Sequence, residues 1–259
     1  MSAPLFLDSF AAVLPEGMWR PGAYAPWNGG QKGPDDISRE QILDKPYPGF
    51  GKLHLADRLA FAAVAMLFSN YGPSSGDKNG IILATPAGSF STDMHYLQSL
   101  AEAHPSPALF SATLPSSAIA DAAIYFGLKG PNRVIAGDET SGLCAFEQAL
   151  LLLQKNKAES MVVISLIALE ASHRACGLLG HFADIENRAY AFLLTRNKNP
   201  NGLGFKLDAN FAIPEKTLPV DIRESYFHDM VRMLMERKNG RVSFKSGDYC
   251  GHISFEKDL

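Results

Sequence analysis

One run, Gly130-Pro131-Asn132-Arg133-Val134-Ile135-Ala136-Gly137-Asp138-Glu139-Thr140-Ser141-Gly142-Leu143, constrains the fold more than any other part of this chain. Residues 134–136 predict a short strand. Residues 140–154 then carry Leu143, Phe146, Leu150, Leu151 and Leu153, which predicts a buried helix. Lys155 and Lys157 follow it, and positive charge suits a helix C-terminal end. Strands that alternate with helices, here and along the rest of the chain, argue for a layered α/β fold.

Residues 5–13 predict a first strand, stopped by Pro15-Glu16-Gly17. Residues 18–51 are rich in Gly, Pro, Trp and Tyr without a steady period, and predict a long irregular excursion with a short helix near 39–43. Residues 55–68 are almost wholly apolar or small, with Asp57 and Arg58 in the first turn, and predict a helix buried on most faces. A short buried strand over 80–85 and a helix over 92–104, ended by Pro105 and Pro107, come next. In 110–127, Thr113 or Ser116 can cap a helix whose first turn tolerates Pro115, and Gly127 ends it. Residues 160–166 predict another strand. Residues 188–195 and 203–207 are expected to pair with each other across the turn 197–202. An amphipathic helix over 222–237 carries Ile222, Tyr226, Met230, Met233 and Leu234, and short strands are expected near Val242 and Ile253.

The 259 residues read as a single domain, 46% hydrophobic and 20% charged. A net charge of −3 gives no electrostatic reason to expect nucleic acid or an anionic membrane as a partner. No uncharged apolar stretch is long enough to span a bilayer, and the N-terminus lacks a signal peptide's positive start, so no membrane insertion is expected. Cys144, Cys176 and Cys250 lie far apart and are expected to be reduced, buried thiols of a cytoplasmic protein. The histidines form no close metal pair. His173 and His181, with Asp184 and Glu186, come nearest and read as loop polar residues, so neither metal nor cofactor is expected. Gly49-Phe50-Gly51 and the stretch from Gly72 through Gly76 to Lys78 are fragments of phosphate-loop patterns without the full motif.

Four segments in order carry a resemblance. Asp57-Arg58 opens the early buried helix. Gly80-Ile81-Ile82-Leu83-Ala84-Thr85 precedes a glycine loop at Gly88. Leu114-Pro115-Ser116-Ser117-Ala118 leads through a helix to Gly130-Pro131. The strand, Thr140-Ser141-Gly142-Leu143 and the following helix then lead to Ala158-Glu159-Ser160-Met161-Val162-Val163. Residues 57–166 thereby resemble the N-terminal half of the β-ketoacyl synthases. The resemblance implies an α/β thiolase-like layered fold, truncated to about the N-terminal half plus a short C-terminal extension, with 167–259 divergent. Where that family has its reactive Cys, this chain has Glu139. A carboxylate cannot form the acyl thioester that condensation requires. The family's second half supplies two catalytic His and a Lys, and a chain of this length does not hold it. Lys245-Ser246 and Gly251-His252 have the wrong spacing to replace them.

Ketosynthase relatives without the Cys include the chain-length factors of type II polyketide systems, which pair with an active ketosynthase and shape its acyl tunnel. Short proteins of this kind are associated with bacterial aryl polyene clusters, and the chain looks most like one of those. The resemblance therefore implies no catalytic residue, a heterodimer with an active β-ketoacyl synthase subunit, and acyl carrier protein docked on the complex mainly through that partner. Family dimers join through the region of helix 114–126 and strand 133–136. The interface and tunnel residues so implied are Leu114, Pro115, Ser116, Ile119, Arg133, Val134, Ile135, Glu139, Thr140 and Ser141. Competing readings are a small thiolase-fold acyl-processing enzyme with an unrecognised nucleophile, and a non-catalytic homodimeric scaffold.

Glu139 stands just ahead of a helix, where backbone N–H groups and the helix dipole favour an anion. It reads as a fixed structural anion, as a plain capping carboxylate, or, by analogy with relatives that carry Gln there, as part of a decarboxylating site. Cys144 is a substitute nucleophile or a buried apolar thiol. Ser141 follows a strand and opens a helix, but the first glycine of a nucleophile elbow is missing. Trp19, Trp27, Tyr24 and Tyr47 cover a partner surface or pack on the chain's own core.

Overall fold

The computed structural model describes residues 4–27, 33–69, 72, 77–137, 140–176, 178, 180–200, 202–212, 225–236, 238–246 and 249–257. Its strands are β1 (Leu5–Leu14), β2 (Gly17–Arg20), β3 (Ala23–Pro26), β4 (Asn79–Thr85), β5 (Asn132–Ala136), β6 (Ser160–Ile167), β7 (Arg188–Thr195), β8 (Phe205–Ala212), β9 (Gly240–Ser246) and β10 (Tyr249–Lys257). Its α-helices are α1 (Arg39–Ile42), α2 (Leu55–Leu67), α3 (Phe90–Ala101), α4 (Pro107–Ala112), α5 (Ser117–Phe126), α6 (Ser141–Gln154), α7 (Ala171–Arg174) and α8 (Ser225–Met235).

The strands form one mixed sheet in the order β5-β4-β6-β7-β1-β8-β10-β9, with the β2–β3 hairpin attached to β1. The parallel strands are β5, β4 and β6. They are joined by helical crossovers, as parallel pairing requires. Apolar side chains leave both faces. Ile82, Val163 and Phe192 pack with Phe146 of α6 and Phe227 of α8, while Ile81, Val162 and Ile164 pack with Phe61 of α2 and Ile119 of α5. A sheet covered on both faces has strands that read as unbroken apolar runs, which is why β4 and β6 are legible in the sequence.

The expected pairing of 188–195 with 203–207 does not occur. β1 lies between them, antiparallel to β7 on one side and to β8 on the other. A bulge at Asp8 accommodates this. Leu5 and Leu7 face the α6 side, and past the bulge Phe10, Ala12 and Leu14 keep that face, because one inserted residue shifts the two-residue period. Asp8 is buried within the bulge. Its Oδ2 accepts from Thr195 Oγ1 at 2.6 Å and from the Asn199 N–H at 3.1 Å, and its carbonyl accepts from the Leu203 N–H at 2.7 Å.

The stretch 18–51 is not wholly irregular, since it begins with the hairpin. Trp19 and Tyr24 sit opposite each other across β2 and β3, with ring centroids 5.5 Å apart. Trp27 donates to the Leu14 carbonyl at 2.9 Å, and Tyr47 stacks on Phe61 at 5.2 Å. The Tyr47 hydroxyl donates to Asp121 of α5. Burial, then Asp121, push its phenol up to about 12. These aromatics pack on the chain's own body, although Tyr24 is also part-exposed.

Other boundaries shift slightly. α3 begins two residues before the expected helix, and α4 is a separate turn not read from the sequence. Helix 222–237 appears as α8, and positions 222 and 237 lie outside the described residues.

Asp57 closes the first turn of α2, accepting from the His54 N–H at 3.3 Å and from Ser117 Oγ at 3.2 Å. Burial pushes its carboxyl up, and His54 and Ser117 only partly oppose this. The folded chain thus holds this proton more tightly than the unfolded chain does. The resulting stability is full below the unfolded carboxylate value and is lost as pH rises through the raised folded value. Asp57→Asn cannot ionise, and its denaturant stability is expected to fall less than the parent's between about pH 4 and pH 8. Asp8 is raised by burial in the same sense, so part of the fall stays in both proteins. Superimposable pH profiles would remove Asp57 from the account.

Candidate functional site

β5 is an edge strand. It pairs with β4 on one side, and among the described residues nothing pairs with its other side. The turn before it is tight. The Gly130 N–H donates to the Asn79 carbonyl at 2.8 Å, and a Cβ on Gly130 would stand 2.7 Å from the Asn79 carbonyl carbon, so only glycine fits. The next turn is fixed to the sheet by the Gly137 N–H, which donates to the Thr85 carbonyl at 3.4 Å. Asp138 and Glu139 lie outside the described residues. α6 starts directly after them, with Thr140 as its N-cap and the Thr140 carbonyl accepting from Cys144 N–H at 2.9 Å.

α5 packs on α2 and β4 and ends as the sequence requires, with Gly127 in the left-handed conformation at φ 66°. Ser116 is its N-cap but makes no side-chain capping bond. Thr113 closes α4 instead. The Ser117 hydroxyl is the one that binds across, to Asp57.

The residues implied at the interface separate into two groups. Leu114 (61% exposed), Ser116 and Arg133 face outward, with Pro115, Val134, Ile135 and Thr140 half-buried. Ile119 and Ser141 are buried, and Ile119 belongs to the chain's own core against α2, so it supports α5 from within and offers no surface to a partner. Sequence reasoning did not single out the most exposed apolar side chain of this face, Ile124 at 79%. Its position one face round from Ile119 and Ala123 on α5 was the available signal. With Leu97, Leu100 and Phe110 of α3 and α4, Leu114 and Ile124 make the outer side of these helices apolar.

Further expectations change here. Cys144 is half-buried, with its Sγ 3.9 Å from Thr140 Oγ1, and Cys176 is exposed, not buried. His252 lies on β10, bonded through Nδ1 to Arg241 at 2.9 Å. β10 is six strand spacings from β5, on the order of 25–30 Å. It therefore cannot act with groups at the start of α6. His173 does not gather with Asp184 and Glu186, which are exposed. It gathers with His95 and Glu170, and this is the one such cluster among the described residues. The link is hidden in the sequence because His95 is on α3 while Glu170 and His173 follow β6. Among the described residues no helix is long and apolar enough to cross a membrane.

The model for the N-terminal domain of β-ketoacyl synthases matches residues 48–181, more than half of the chain, and the chain belongs to that family. No curated protein matches it in sequence. Among solved structures it is similar to "The ishigamide ketosynthase/chain length factor", with a TM-score of 0.63 at 18% identity over 81% of this chain and 68% of that one. It is also similar to "Ketosynthase (ApeO) in Complex with its Chain Length Factor (ApeC) from Xenorhabdus doucetiae", with a TM-score of 0.62 at 15% identity, covering 96% and 99% of the two chains. A third likeness is to a type II polyketide acyl-carrier protein in complex with its ketosynthase bound to the hexaketide, with a TM-score of 0.68 at 9% identity over 100% of both chains. These likenesses establish the thiolase-like ketosynthase fold.

Proposed function

We propose that this chain is a non-catalytic partner of an active ketosynthase, a chain-length factor of a type II polyketide system of the aryl polyene kind. What carries the reading is Glu139, which stands where the resemblance implies the family's reactive Cys, inside a domain that belongs to that family. The edge strand β5 supports it, because an unpaired strand edge is a template for pairing with another chain, and so do the exposed apolar side chains Leu114 and Ile124. So does the likeness to solved structures of a ketosynthase with its chain length factor. The partner supplies the nucleophile and the proton-handling groups. This chain walls off part of the acyl tunnel, and acyl carrier protein docks on the complex mainly through the partner.

The test is co-expression with a ketosynthase encoded beside it, followed by size exclusion with mass analysis and a carrier-protein elongation assay. A one-to-one complex that elongates, while this chain alone turns over no thioester, is the expected result. The absence of a complex, or thioester turnover by the isolated chain, would overturn the reading in favour of an independent acyl-processing enzyme.

Glu139 reads as a fixed anion in place of the thiolate. Glu139→Ala is expected to fold normally but to weaken the complex or change product length, as read by titration and product analysis. Unchanged affinity and products would reduce Glu139 to a helix cap. Glu139→Cys is expected to give the isolated chain no condensing activity, since the other catalytic groups belong to the partner.

A further inference from the structure

We infer that His95, Glu170 and His173 form a binding site for a divalent transition metal, with Zn2+ the best-matched ion. One ring nitrogen from each histidine and one carboxylate oxygen lie within 4.8 Å of one another. His95 Nε2 is already 3.1 Å from Glu170 Oε2, and the two imidazole rings meet edge-on with centroids 5.0 Å apart. Donors held at the usual Zn–N and Zn–O lengths stand about 3.4 Å apart round a tetrahedral ion, so shifts of roughly an ångström complete the set. Part-exposed side chains accommodate such shifts, and His95 and Glu170 are each about one-third exposed.

A second observation points to a ligand. His173 Nδ1 is buried and finds no hydrogen-bond partner among the described residues. A buried ring nitrogen left unpaired is costly, and coordination at the same ring is a common way to fix the imidazole's orientation and tautomer.

The scaffold holds the donors in place. Glu170 and His173 share one helical turn, with the His173 N–H donating to the Glu170 carbonyl at 2.9 Å. The Glu170 N–H donates to Ser91 Oγ of α3 at 3.0 Å, which brings the two halves of the cluster together. Just behind, Asn187 Oδ1 accepts from Leu169 N–H and from Arg174 Nη2, both at 2.7 Å. Arg174 also donates to the Ala183 and Ile185 carbonyls at 2.9 and 2.6 Å, so its charge is engaged with oxygens of this loop. Supporting bonds of this kind determine how well a metal site keeps its geometry. Two imidazoles and one carboxylate favour zinc and its neighbours over magnesium or calcium, and three protein ligands leave a position for water or a small ligand. The donors follow the C-terminal ends of the parallel strands β4 and β6, where open α/β sheets commonly bind ligands. The metal would cross-link α3 to the segment after β6.

The inference does not depend on the partner role, and its failure would leave that role untouched. The test uses the full chain, freed of any affinity tag and stripped with a chelator, then titrated with Zn2+ by calorimetry. Co2+ serves as a visible-absorption probe. One equivalent per chain is expected, with the absorption of a tetrahedral nitrogen–oxygen site and no competition from excess Mg2+. His95→Ala, His173→Ala and Glu170→Gln are each expected to lower affinity by at least about 10-fold, with far-UV circular dichroism of the metal-free proteins unchanged. His95→Asn serves as a second variant if His95→Ala folds poorly. Failure of the parent to bind Zn2+, or equal affinity in a folded His95→Ala/His173→Ala double variant, would overturn the assignment.

Discussion

A chain carrying Ile124→Asp is expected to fold as its parent does and to bind the proposed ketosynthase partner at least roughly 30-fold more weakly. Ile124 is 79% exposed on α5, so a carboxylate there costs the isolated chain little. An interface changes that balance. Truncating a central anchor removes about 2 kcal/mol or more, and a buried, unpaired carboxylate adds a desolvation penalty. The measurement is a binding titration of both proteins, with thermal unfolding of the isolated variant as the control. Equal affinity would show that α5 is not part of the contact and would leave the edge of β5 as the remaining candidate. Lys238→Ala, far along the chain on an exposed position near β9, is expected to bind as the parent does.

Phe61→Ala is expected to lower unfolding free energy by about 3–5 kcal/mol. Phe61 is fully buried on α2 and lies within 5.8 Å, centroid to centroid, of the rings of Tyr47, Phe50, Tyr125 and Phe126. Removing it takes the shared neighbour from four aromatic rings at once, and a cavity among rigid rings collapses poorly. Tyr125 and Phe126 are the last residues of α5, so loss of this support also loosens the helix that carries Ile124. Equilibrium urea unfolding checks the first effect and complex formation the second. A loss below about 1 kcal/mol would mean that the cluster repacks around the gap.

The segments legible in the sequence are those whose burial leaves a periodic or continuous apolar signature. β4 and β6 are covered on both faces, α2 is apolar nearly all round, and α6 follows its strand with the expected spacing. Gly127 marks the end of α5 because the left-handed conformation there favours glycine. The β2–β3 hairpin was illegible because four-residue strands with part-exposed side chains carry too little periodicity. The resemblance implies helix 114–126 as an interface region, yet its most exposed apolar side chain, Ile124, is indistinguishable from its buried neighbours by residue type alone.

By itself the sequence determined the alternation of strands and helices and the family to which the chain belongs. These are local or short-range properties, written in residue type and spacing. Only the tertiary structure decided that β1 separates β7 from β8, that β5 is left at an edge, that His252 stands at the far side of the sheet, and that His95 meets Glu170 and His173. Each of these depends on which distant strands pair. That choice is made by the burial of whole faces and by a single bulge at Asp8, and no local pattern records it.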